Sequence, residues 1–310
     1  MTTRTARTVR TRSRSWRRTL VLGLVLGLTA LVVPPASVRD AHVSLVRVDG
    51  ARGIDPARDV VWVLFLGSDA RPGQGMTQAR ADAIQLTGVN LRTGSATVIG
   101  VPRDSYVPIP GRGRDKINAA MYFGGPQLMA RAVTGMVGIR PDYVMTTDFP
   151  GFRKMVGTIG GVTVRSDFSF PDPVIRGGYR RGKNELNGLQ ALIFTRVRKY
   201  LPRGDFDRSA NQQDMLRAIL AQVRSRQDRP GFMERAVLAA VQNMNTGVRP
   251  AELYRLAQAA TQVDPRRVRG CVISGGIGYA GAASVVFPDL AQARRIVADV
   301  RRDATLDRGC

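Results

Sequence analysis

The segment 195–213, TRVRKYLPRGDFDRSANQQ, gathers side chains suited to gripping an anion. Arg196 and Arg198 are two apart, so an extended backbone would project both from one face. Arg208 and Gln212 are four apart at the expected start of a helix, with Ser209 as its N-cap, and would share a helical face. A helix N-terminus adds free N–H groups and the positive end of a dipole. Guanidinium forks and an amide beside Gly204 are equipment for a phosphate or pyrophosphate. The plainer alternative is a solvated charged loop, which leaves the convergence of donors on a glycine and a helix start unexplained.

Acid–base pairs recur at three other points. Asp69 follows the run VVWVLFL (60–66), and Asp82 stands thirteen residues later, flanked by Arg71 and Arg80. Arg103 and Asp104 follow ATVIGVP (96–102), and Lys116 lies in the DKIN that comes next. Loops at the carboxyl ends of strands are where α/β folds build sites. Two carboxylates without histidine are hard oxygen ligands that suit Mg²⁺, whose shell water and phosphate oxygens complete. Turn-capping aspartates in surface ion pairs would explain any one pair; they explain three strand ends less well.

These groups need elements to hold them. VVWVLFL is a β-branched and aromatic run, expected as a strand buried on both faces. AIQLTGVN (83–90) and ATVIGVP read as two more strands, joined by a turn with Gly94. Helices are expected over 126–136, 152–159, 186–195, 209–224, 232–243, 250–261 and 288–303. Further strands are expected at DYVMTTDF (142–149), RGCVIS (269–274) and ASVVF (283–287). The alternation argues for a single α/β domain, a central mixed sheet flanked by helices, occupying 60–310.

The chain has 310 residues and a formal charge of +23, and almost all of its 47 basic residues are arginine. Such an excess reflects coding bias as readily as function, so a single arginine counts for little without a local pattern. Residues 1–18 hold seven arginines and no acid, while 19–38 hold no charge. That order predicts a basic cytoplasmic tail and an uncleaved membrane anchor of just sufficient length, with the rest outside the membrane. Residues 39–59 read as a linker. Cys271, Cys310 and His42 are the only residues of their types. They cannot assemble a zinc site or a histidine-based catalytic triad, and no GxxxxGK[ST] or GxGxxG signature occurs. An exported domain permits a Cys271–Cys310 disulfide.

At these same residues the sequence resembles the LytR-CpsA-Psr family of envelope proteins. LGSDAR, RADAI, PRDSYVPIPGRGRDKINAAMYFGGP and GDFDRSANQQ match its blocks in order and spacing, as do FRKMVGTIGGVTV and LNGLQALIFTRVR. The resemblance spans roughly 60–300. It implies a single-pass type II membrane protein with an extracytoplasmic phosphotransferase domain. The activity it implies is transfer of a glycan phosphate from a polyprenyl-pyrophosphate donor to peptidoglycan, with Mg²⁺. Asp69 and Asp82 match the metal-associated aspartates. Arg80, Arg103, Lys116, Arg196, Arg198, Arg208 and Gln212 match the pyrophosphate-binding set. Arg103 would stabilise the leaving charge, and Asp104 or Asp205 would serve as general base. Four positions depart from the pattern: Asp207, read as an extra negative charge near the phosphates, Asn211, and the alanines 81 and 83 flanking Asp82. Rival readings are a lipid pyrophosphatase, a nucleic-acid-binding regulator and a non-catalytic binder of wall polymers. An exporting anchor argues against nucleic acid as a partner.

Overall fold

A computed structural model describes residues 41–55, 58–172, 175, 177–232 and 244–310. The tail, the anchor expected over 19–38 and nearly all of the helix expected over 232–243 lie outside them. Along the chain run β1 (Val43–Arg47), β2 (Val60–Ser68), a 3₁₀ turn (Met76–Gln78), β3 (Ala81–Asn90), β4 (Ala96–Gly100), β5 (Tyr106–Ile109), β6 (Gly113–Lys116) and α1 (Ala119–Val137). Then come β7 (Tyr143–Thr147), α2 (Phe149–Thr158), β8 (Val162–Ser166), β9 (Gly182–Leu186), α3 (Gly188–Arg196) and α4 (Asp205–Arg226). The chain continues with β10 (Met244–Thr246), α5 (Pro250–Gln262), β11 (Val268–Val272), β12 (Gly275–Ala280), β13 (Ala283–Pro288) and α6 (Leu290–Val300).

The central sheet is mixed, in the order β10-β1-β7-β2-β3-β4-β11. β2 pairs antiparallel with β3 and parallel with β7, and β4 pairs parallel with β11. β2 explains why the fold is layered. Its side chains alternate between faces, and both faces are apolar. Trp62, Leu64 and Leu66 join Met129 and Val133 of α1 and Ile296 and Val297 of α6 in one core. Val61 and Val63 join Tyr143 and α5 residue Ala259 in another. The expected α/β class therefore holds, with helices on both faces.

Four expectations need correction. The segment read as a linker supplies β1, which pairs with β7 and β10 inside the sheet. The helix expected to begin at Ser209 begins at Asp205, with Gly204 at its cap in a positive-φ conformation. Asp205 and Asp207 then occupy its first turn, where a helix dipole favours acids. Arg196 closes α3 and is not extended. The last helix begins at Leu290, with Asp289 accepting from the Gln292 N–H as its cap.

α4 lies unusually close to the sheet. A Cβ on Gly100 would meet Ser209 Oγ at 2.5 Å, and one on Gly270 would meet Gln213 Oε1 at 2.2 Å. Gln85 of β3 donates to Ser209 Oγ at 3.0 Å and to Gln212 Oε1 at 3.0 Å, and Gln213 donates to the Cys271 carbonyl at 2.9 Å. Two glycines and a polar seam thus fix the height of the α4 N-terminus above the strand ends. Cys271 is bridged to Cys310. The bridge closes a loop with a sequence separation of 39, a constraint that contributes about 4 kcal/mol in the chain-entropy account.

Candidate active site

Asp69 lies one residue beyond β2 and Asp82 two residues into β3. The β2–β3 register shifts at Gly67 and Ser68, and such a bulge re-aims the side chains beyond it. Ser68 Oγ donates to the Met76 carbonyl at 2.7 Å and accepts from the Ala70 N–H at 3.2 Å. The Asp69 N–H donates to the Arg80 carbonyl at 3.0 Å. The connection is thereby folded back on itself, and the two carboxylates face each other. Burial first, and then the charge of Asp82, push the Asp69 carboxyl above the usual range; an N–H of Arg80 and the charges of Arg103 and Arg80 oppose this.

Arg103 follows β4. Its Nη1 donates to Asp82 Oδ1, and its Nε lies 3.7 Å from Asp104 Oδ2. Lys116 Nζ is 3.1 Å from Asp104 Oδ1. Burial works against the Arg103 cation, but the carboxylates of Asp82, Asp104 and Asp205 outweigh it and raise its pKa. Arg208, in the first turn of α4, sits 2.8 Å from Asp205 Oδ1, an ion pair whose angle falls outside hydrogen-bond geometry. Burial lowers the pKa of Arg208, Asp205 opposes that, and Arg103 adds to it. Asp69, Arg80, Asp82, Arg103, Asp104, Lys116 and Arg198 line one cleft of about 420 Å³.

Other expected residues stand apart from that lining. Arg196 stacks on Phe149, its guanidinium 4.2 Å from the ring centroid. Gln212 spends its amide inside the protein, accepting from Gln85 and donating to the Thr195 carbonyl at 3.2 Å. Asp205 and Arg208 act on Arg103 electrostatically without lining the cleft. Asp207 is no stray charge beside a phosphate: it is buried and accepts from Arg203 N–H and Nε, each at 2.8 Å. Two lining residues escaped the sequence reading, Asn118 and Ser284. Asn118 is 4% exposed, and its Oδ1 has no hydrogen-bond partner. Its backbone receives a bond from Ala81 and gives one to Arg103, tying both walls together. Only its place in DKIN, next to Lys116, could have flagged it.

A model of the LytR_cpsA_psr family matches residues 36–301. The chain belongs to that family. The polyisoprenyl-teichoic acid–peptidoglycan teichoic acid transferase TagU of Bacillus subtilis is 39% identical over 166 residues, which are 53% of this chain and 52% of TagU. TagT of the same organism, a transferase of the same description, is 35% identical over 219 residues, 67% of either chain. A solved structure described as TagT bound to LI-WTA superposes with a TM-score of 0.65 at 27% identity, covering 82% of this chain and 94% of that one. The chain thus spans about half to two thirds of these curated relatives' length and nearly all of the solved domain.

Proposed function

We propose that this protein is a phosphotransferase that moves a glycan phosphate from a polyprenyl-pyrophosphate donor to peptidoglycan. The observation that carries the proposal is the cleft itself. Arg80, Arg103, Lys116 and Arg198 surround two carboxylates at the ends of β2 and β3. TagU and TagT, with which the chain shares its family, are described as teichoic acid transferases acting on peptidoglycan. An anchor over 19–38 would hold the domain outside the membrane, beside a lipid-linked donor.

The acceptor's sugar hydroxyl attacks the glycan-side phosphorus. The P–O bond to the polyprenyl phosphate breaks, that monophosphate leaves, and a phosphodiester forms. Phosphoryl transfer asks chiefly for positioning and for neutralised charge. Arg103, Lys116 and Arg80 would hold the pyrophosphate oxygens, with Arg198 reaching in from the loop after α3. Asp104 lines the cleft and Asp205 does not, which favours Asp104 as the carboxylate that would take the hydroxyl's proton.

The donor set fits Mg²⁺. Asp69 and Asp82 are hard oxygen ligands, and a cation between them would offset the burial and the mutual repulsion that raise Asp69. Among the described residues no group of three or more metal-ligating side chains occurs, so the remaining ligands would be water and substrate oxygens. The ion would screen the pyrophosphate charge. In the free site Arg103 holds Asp82. A pyrophosphate that draws Arg103 away frees that carboxylate, so metal and donor should bind with mutual gain, each tightening the other by the same factor.

The test uses the full chain in detergent, a short-chain prenyl-pyrophosphate glycan donor, peptidoglycan fragments and Mg²⁺. The expected product is a phosphodiester-linked glycan–peptidoglycan conjugate, lost on chelation. Free glycan phosphate alone would identify a pyrophosphatase. Donor binding equal with and without Mg²⁺ would reject Asp69 and Asp82 as ligands.

A further inference from the structure

We infer that the β5–β6 and β12–β13 ribbons carry a subsite for a glycan strand, leading outward from the cleft; as the acceptor's docking place it rests on the function proposed above. The path starts at Lys116, which lines the cleft. Tyr106 lies directly across from Lys116 in the β5–β6 pair, so both project from one face. Arg114, two residues before Lys116, shares that face, and its guanidinium lies 5.2 Å from the Tyr106 ring centroid.

The second ribbon extends this path. β13 runs beside the chain at Ser105, and the Val286 N–H donates to the Asp104 carbonyl at 2.9 Å. Ser284 reaches the cleft from the other face of β13, so the link between Phe287 and the cleft runs through Tyr106 and Lys116. Phe287 meets Tyr106 edge-on, with centroids 6.1 Å apart. The Phe287 ring also packs against Gly278 of β12, where any Cβ would come within 2.9 Å of it. Yet the residue remains 45% exposed. A large ring is therefore pinned by two neighbours and left half open to solvent, one strand away from a phosphate-binding cleft.

The chemistry selects the occupant. The C–H faces of a pyranose ring are apolar and weakly positive, and they lie well on the negative face of an aromatic ring. The hydroxyls around their rim want donors, which Arg114 and Lys116 supply beside the rings. A pinned ring also gives up little rotamer freedom on binding. A lipid surface would instead favour side chains that project freely. Ile277 and Tyr279 do so, but strand alternation puts them with Ser284 on the other face of β12–β13 from Phe287, away from Tyr106 and Arg114.

Isothermal titration with chitotetraose tests the subsite without any need for turnover. The full chain should bind it weakly. Phe287→Ala should weaken that binding about five- to tenfold, the loss expected for one aromatic contact. Gly278→Val, which keeps Phe287 but displaces its ring, should do the same. Tyr254→Ser, at an exposed tyrosine on α5, should bind as the unmodified chain does. In the transfer assay Phe287→Ala should raise the peptidoglycan concentration needed for half-maximal rate by a similar factor and leave donor affinity alone. Unchanged chitotetraose affinity in both hairpin variants would overturn the inference. So would chitotetraose affinity that is absent from the unmodified chain while Phe287→Ala abolishes binding to anionic phospholipid vesicles. A donor that binds but is never transferred, with chitotetraose behaving as expected, would sink the transferase reading and leave the glycan subsite standing.

Discussion

Two clusters of arginine and carboxylate in this fold are built from the same parts and end in opposite states. Around Glu252 every group has a partner. Its carboxylate accepts from the Tyr143 hydroxyl at 2.8 Å, from Arg249 at 2.8 and 3.0 Å, and from Arg47 at 3.4 Å. Tyr143 in turn accepts from the Ile54 N–H at 2.9 Å. Burial works against the Glu252 charge, but those bonds and charges outweigh it and hold its carboxyl below the ordinary range. At the cleft the balance tips the other way. Asp69 is raised, Arg103 Nε and Asn118 Oδ1 are buried without hydrogen-bond partners, and three carboxylates share one guanidinium. A saturated cluster stabilises. An unsaturated one stores interactions that a ligand can complete.

The sharpest way to break that contrast is to truncate the hub of each cluster. Arg103→Ala should lower transfer by about 10²–10³, as expected when a donor that strengthens in the transition state is removed. Its melting temperature should fall only modestly: the crowded carboxylates lose their shared cation, but they are partly exposed and no core cavity opens. Steady-state kinetics and a thermal melt on the same sample check both halves. A variant with normal transfer would remove Arg103 from the reaction.

Glu252→Ala should do the reverse. It leaves the buried Tyr143 hydroxyl proton without an acceptor and takes the carboxylate from Arg249 and Arg47, the latter keeping its bonds to the Ala51 and Arg52 carbonyls, at a cost of about 1–3 kcal/mol. Urea unfolding should show that loss, while kcat and donor affinity remain those of the unmodified chain. A kinetic defect larger than the stability defect would mean that the two clusters communicate, and the contrast would have to be redrawn.

The sequence was legible where one residue's context decides its fate. β2 could be read because seven consecutive residues are buried-strand formers, and Asp69, Asp82 and Arg103 could be read because each stands where such a run ends or begins. The pairing of Cys271 with Cys310 needed only their rarity and the expectation of an exported domain. Other features depend on distant partners. β1 is five residues of unremarkable pattern, recruited because β7 and β10 leave a place between them. The α4 start was misplaced because Ser209 looks like a cap, while Gly204 and two first-turn aspartates begin the helix and Ser209 instead faces Gln85. Gln212 looked like a ligand donor because nothing local shows that Gln85 and Thr195 already occupy its amide. Asn118 is an ordinary asparagine until burial leaves its Oδ1 without a partner.

The smallest effect belongs to Asp69→Asn, which removes at once the burial penalty on the charge and the repulsion from Asp82. The folded-state pKa of Asp69 is raised above its unfolded value. Its contribution to stability is therefore fully present below the ordinary carboxylate pKa and is lost as pH rises through the raised value. At neutral pH the ionised group is a net cost to the metal-free protein. The asparagine side chain is isosteric and uncharged and removes that cost, so the variant should melt about 1–3 °C higher at pH 7, the shift that a fraction of a kcal/mol to 1 kcal/mol gives in a domain of this size. Well below the ordinary carboxylate pKa the two proteins should converge, because Asp69 is then protonated in both states. Added Mg²⁺ and a prenyl pyrophosphate should reverse the order, stabilising the unmodified chain by mass action while leaving the variant behind. Transfer by the unmodified chain should also fall off on the acid side, as protonation removes a ligand. Melts across pH, with and without Mg²⁺ and the pyrophosphate, read all of this from one pair of proteins. An Asp69→Asn variant no more stable than its parent at pH 7 would show that neither burial nor Asp82 strains the Asp69 carboxylate, and that the cleft is as well satisfied as the cluster around Glu252.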